Sequence, residues 1–65
     1  MSAWRLCLNK LHAHGRPMRA PHVGSEGDRR QLIARGLATA EPGGGVWMYS
    51  ITPLGIEVAT GRVTL

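Results

Sequence analysis

One proline and three glycines in a row, Pro42-Gly43-Gly44-Gly45, constrain this chain most tightly, because such a run must turn. After it, Val46 to Ile51 alternates and is rich in β-favouring Val, Trp, Tyr and Ile; before it, Ala38 to Glu41 can extend. The stretch therefore reads as a β-hairpin with a flexible tip. Alternation puts Trp47, Tyr49 and Ile51 on one face and Val46, Met48 and Ser50 on the other. The aromatic face is expected to cover the core, with Trp47 buried against the first helix near Trp4 or Leu8. An exposed Trp47 would instead mark a partner surface, since aromatic residues dominate interface hot spots.

Helical spacing governs both flanks. Trp4, Cys7, Leu8 and Leu11 recur at three and four residues and leave Arg5, Asn9 and Lys10 for solvent. Ser2 can cap this helix, Gly15 can end it and Pro17 forbids its continuation. A helix from about Ser2 to His14 is expected. Arg16 to Gly24 holds Pro17, Pro21 and Gly24, so only a short extended piece and one helical turn from Pro21 fit there, with Met18 and Val23 inward. Ser25 with Asp28 three residues on forms a capping-box variant, and Glu26 and Asp28 favour the positive end of a second principal helix that stops at Gly36. Leu37 packs back beneath that stop. Thr52-Pro53 opens a last helix, with Ile56 and either Val58 or Ala59 inward and Gly61 as its end. The tail offers Val63 and Leu65 for an edge strand or a dimer contact.

Size and charge narrow the class. Sixty-five residues make one domain, residues 1–65, and a chain this short buries only about 60% of its unfolded surface. Hydrophobic residues at 43% against 18% charged favour a folded unit over a disordered one. No apolar run reaches the roughly 20 residues that span a bilayer, and the Met1 end lacks a signal-peptide pattern, so no membrane partner and a cytoplasmic location are expected. The lone Cys7 allows no intramolecular disulfide and reads as a buried thiol with no chemistry. A formal charge of +4 points to polyanions, with nucleic acid as the natural partner class.

Two segments carry a resemblance. Leu32-Ile33-Ala34-Arg35-Gly36-Leu37-Ala38 and Tyr49-Ser50-Ile51-Thr52-Pro53-Leu54-Gly55-Ile56-Glu57, joined by the glycine-rich turn, resemble MarR-type and PadR-type winged-helix regulators. In those families a Leu-x-x-x-Gly-Leu segment leads from recognition helix to wing and a Leu-Thr-x-x-Gly segment closes it. The match covers roughly residues 25 to 61. It implies an α+β winged helix-turn-helix, three helices with a two-stranded hairpin wing, acting as a small DNA-binding transcriptional regulator of bacterial or phage type. The chain departs from that pattern in two places. The Pro-rich segment shortens the preceding helix to a stub, and Arg29 stands where an apolar residue is usual.

On a helical wheel Leu32, Ile33 and Gly36 define the inner face of the second principal helix; Gly27, Arg30, Gln31 and Ala34 lie opposite, with Arg35 at the margin. Arg30 and Gln31 are then the expected base readers, since Arg pairs with guanine and Gln with adenine. The plain alternative is a solvated basic face, and Glu26 and Asp28 would repel phosphates at the helix start. Arg16 and Arg19 are expected to clamp phosphates, and Gly44 at the wing tip permits close backbone approach, although a plain hairpin turn explains it equally. Double-stranded DNA is the expected partner of a homodimer; a protein-binding winged helix, an antagonist or adaptor, is the alternative.

Chemistry beyond binding has little support in the residues. His12 and His14 point about 160° apart on a helix, and neither they nor His22 and Cys7 have metal-ligand spacing. His14 is better explained as a favourable charge near a helix carboxy-terminus. No phosphate-loop or nucleophile-elbow sequence occurs. No catalytic site, cofactor or metal is expected.

Overall fold

The computed structural model describes residues 2–65. Its elements run α1 (Ala3–His14), β1 (Met18–Arg19), α2 (Ala20–Val23), α3 (Glu26–Ala34), β2 (Ala38–Gly43), β3 (Val46–Ile51) and α4 (Pro53–Ala59). The three strands form one antiparallel sheet in the order β1-β3-β2. This α+β arrangement carries one helix and one strand more than the expected three helices and two strands. Both additions come from Arg16 to Gly24: the turn at Pro21 closes as α2, and the extended Met18–Arg19 pairs with Tyr49 and Met48 of β3.

Register sorts the sheet into two faces. Met18, Tyr49 and Ala40 lie in one row across the strands and Ala38 faces Ile51, so these side chains point to the core. Arg19, Met48 and Glu41 form the next row and point away from it. Beneath the inner face, Leu8, Leu11, Val23, Leu32 and Leu37 are essentially inaccessible, joined by Cys7, Met18, Ala38 and Val58. Trp4, Tyr49, Ile51 and Ala59 pack on this cluster from its edge.

Local chemistry explains the boundaries. Ser2 occupies the cap position of α1 without a side-chain hydrogen bond, whereas Ser25 Oγ accepts the Asp28 N–H and Thr52 Oγ1 accepts the Gly55 N–H. Gly36 sits at φ 71°, a left-handed conformation that costs other residues, and Leu37 N–H returns to the Leu32 carbonyl at 2.9 Å. Thr52 Oγ1 donates to the Gly36 carbonyl at 2.7 Å, tying the end of α3 to the start of α4. The hairpin turn is only two residues, Gly44 and Gly45, both at positive φ. Pro42 and Gly43 belong to β2 instead of to a four-residue flexible tip. Proline is tolerated there because β2 is an edge strand.

Four inward expectations fail. Trp47 is 55% exposed, Ile33 42% and Ile56 41%, and Gly36 is exposed as well. Trp47 pairs with Pro42, one step from the turn, where the hairpin has run past the helices and only Tyr49 and Ile51 still reach the core. Ile33 lies about 100° round α3 from Leu32, outside the single line of contact this short helix makes. In α4, Gly55 and Val58 take the inner face and turn Ile56 outward. Residues 60–65 form no edge strand, and Val63 and Leu65 are exposed. Among the described residues no helix is long and apolar enough to cross a membrane.

Candidate nucleic-acid interface

Only Leu32 of the nine residues of α3 is fully buried, while Gly27, Arg30, Gln31 and Ala34 are exposed together on its outer side. The acids at its start are engaged locally. Ser25 Oγ donates to Asp28 Oδ2 at 3.0 Å, and Arg30 Nη2 donates to Glu26 Oε1 at 2.7 Å. The Arg30–Glu26 side chains are 78% and 69% exposed, and pairs so open to water contribute little, so Arg30 is free to exchange its partner.

Arg35, at the margin of the outer side of α3, packs back on α1. Its guanidinium lies 4.6 Å from the centre of the Trp4 ring, which also carries the Arg5 guanidinium at 4.7 Å. Arg35 Nη1 also donates to the side-chain oxygen of Gln31. Arg35 thus ties the end of α3 to the start of α1 and engages the side-chain oxygen of Gln31.

The sequence singled out Arg29 as an anomaly without giving it a role. The structure shows Nη1 donating to the carbonyls of Ala20 at 3.2 Å and Gly24 at 2.7 Å, with the guanidinium 5.8 Å from the Tyr49 ring centre. Arg29 therefore joins both ends of α2 to α3 and rests on the sheet. Its Nε is buried without a partner. The signal available in the sequence was the short, Pro-rich segment: a one-turn helix has too little apolar surface to dock by burial and needs polar ties.

Arg19 and Arg16 stand elsewhere, on β1 and just before it, and both are exposed. Among the described residues neither side chain makes a hydrogen bond or ion pair. Gly44 is exposed at the hairpin tip, with open space where a Cβ would point. The three candidate contacts, α3, the β1 region and the hairpin tip, thus occupy separate elements. Cys7 is buried, and burial, helped by the charge of Asp28, pushes its thiol pKa up against the opposing charges of Lys10 and Arg29. Among the described residues no group of three His, Cys, Asp or Glu side chains is placed to hold a metal ion. The surface depressions are open and small, about 170 to 250 Å³. No family model, curated protein or solved structure matches the chain.

Proposed function

We propose that this chain is a winged helix-turn-helix regulator that binds double-stranded DNA in the cytoplasm as a homodimer, without cofactor or catalysis. In this reading α3 is the recognition helix, α2 the stub before it, and the β2–β3 hairpin the wing. The observation that carries the reading is the outward presentation of one side of α3: Gly27, Arg30, Gln31 and Ala34 are exposed together, opposite the buried Leu32 and the half-buried Asp28 and Arg29. The element order and the sheet order β1-β3-β2 support the same architecture. The acids at the start of α3 weigh less against DNA because Ser25 and Arg30 already engage them.

Titration of specific and random duplexes tests the assignment. Arg30→Ala is expected to cost about 1 to 3 kcal/mol on the preferred site and relax specificity there, whereas Arg19→Ala weakens all sequences alike and lowers the salt slope by about one. Wild-type protein without salt-sensitive duplex binding would remove the proposal. The exposure of Trp47 favours a second reading, a protein-interaction module, because the hairpin end offers a Trp47–Pro42 pair and Glu41 but no cation. Binding of that kind would be insensitive to salt.

A further inference from the structure

His14 from the last turn of α1, Arg19 from β1 and His22 from α2 line a single depression of about 250 Å³ together with Pro17, Met18 and Met48. The three polar side chains come from three different elements and all are exposed. The Arg19 guanidinium is charged throughout the working pH range, so it repels a metal cation and attracts an oxyanion. Each imidazole brings N–H donors and, once protonated, a further charge. Guanidinium and imidazolium donors meeting over an apolar lining suit a phosphate oxygen, where charge-assisted hydrogen bonds are strongest.

The charged surroundings favour an anion. Lys10 lies one turn before His14 on α1, Arg16 directly precedes the Pro17–Met18 lining, and Arg29 of α3 holds α2 from below through the Ala20 and Gly24 carbonyls. β3 contributes no acid, and its Tyr49 points to the other face of the sheet. The one acid in the row is Glu41, two strands from Arg19 with Met48 between them, roughly 10 Å away by strand spacing. We infer that this depression seats one phosphodiester oxyanion of the DNA backbone, so that His14 and His22 strengthen attachment as pH falls. The inference rests on the DNA-binding reading and adds to it a site away from α3.

Random-sequence duplex is the probe, titrated at about pH 8 and about pH 6, which bracket the range in which histidine changes charge. Wild-type affinity is expected to rise by about tenfold on acidification, with a salt slope steeper by about one for each imidazole that gains a phosphate contact. The double variant His14→Gln/His22→Gln loses the rise on acidification. His12→Gln, outside the depression, keeps it. As a measurement on unmutated protein, the imidazole proton resonances of His14 and His22 shift on adding duplex and those of His12 do not. Duplex binding that is independent of pH, or a rise that survives in the double variant, overturns the phosphate seat and leaves the DNA-binding reading standing. Absence of salt-sensitive binding at both pH values removes both.

Discussion

A Cβ added to Gly55 would collide with the carbonyl oxygen of Leu37 and come within 2.7 Å of Ile51 Cγ1. Neither atom can swing aside, because the Leu37 carbonyl accepts the Thr52 N–H at 3.0 Å and Ile51 packs on the core. Replacing a helical glycine by alanine ordinarily stabilises by about 0.5 to 1 kcal/mol. Here overpacking wins, and Gly55→Ala is expected to destabilise by about 1 to 3 kcal/mol in urea denaturation; a raised midpoint would refute the close approach. Gly36 differs in kind, since an added Cβ would meet only Leu54 Cδ2 at 3.9 Å. Gly36→Val therefore costs about 1 kcal/mol or more from backbone strain alone. Cys7 supplies a pH signature. Its folded pKa is raised by burial and Asp28, so the folded state holds the thiol proton more tightly than the unfolded chain. That contribution is fully present below the ordinary thiol pKa and is lost as pH rises through the folded value. The urea midpoint of wild type should fall in alkali more steeply than that of Cys7→Ala, and parallel curves would show that the thiol plays no part.

Among the elements, α2 depends on Arg29. A four-residue helix cannot hold itself, and the Arg29 guanidinium bonds the carbonyls at both of its ends. Arg29→Met keeps apolar bulk but strips these bonds, with an expected loss of about 1 to 3 kcal/mol in thermal denaturation. A variant as stable as wild type would mean that α2 docks by burial alone. The hairpin behaves oppositely: Trp47→Ala should leave stability within about 0.5 to 1 kcal/mol of wild type, because the ring is already mostly in water. The contrast reflects what was legible in the sequence. Ser25, Gly36 and Thr52 act through their immediate neighbours, so the bounds of α3, the start of β2 and the start of α4 could be read locally. β1 could not, because two residues show no alternation and Met18–Arg19 is a strand only by virtue of β3. Alternation placed Trp47 on the correct face but carried no information on where along β3 the core ends. Arg30, Gln31, Arg16, Arg19 and Gly44 are exposed; the tie of Arg35 to Trp4 could not be read locally, as it joins residues 31 positions apart.

The whole molecule allots its positive charge unevenly. Arg29 is spent inside, Arg5 and Arg35 lie over Trp4, and Arg30 is paired with Glu26, whereas Arg16 and Arg19 remain open beside α2. If α3 reads DNA as proposed, its nine residues, only about 13 Å long, cover a few base pairs, and Arg30 and Gln31 alone would select weakly among genomic sites. On that reading, useful specificity in a domain this size calls for two copies. Two-fold pairing on DNA places their half-sites about one helical turn apart, roughly 10 base pairs between centres. Duplexes selected from a random pool should accordingly carry an inverted repeat of that spacing, and sedimentation should give two chains per duplex at saturation. Shifting the half-sites by about five base pairs puts them on opposite sides of the double helix, which should reduce affinity toward that of a single half-site. Saturation at one chain, with full affinity for an isolated half-site, would leave a monomer whose specificity must come from contacts beyond α3.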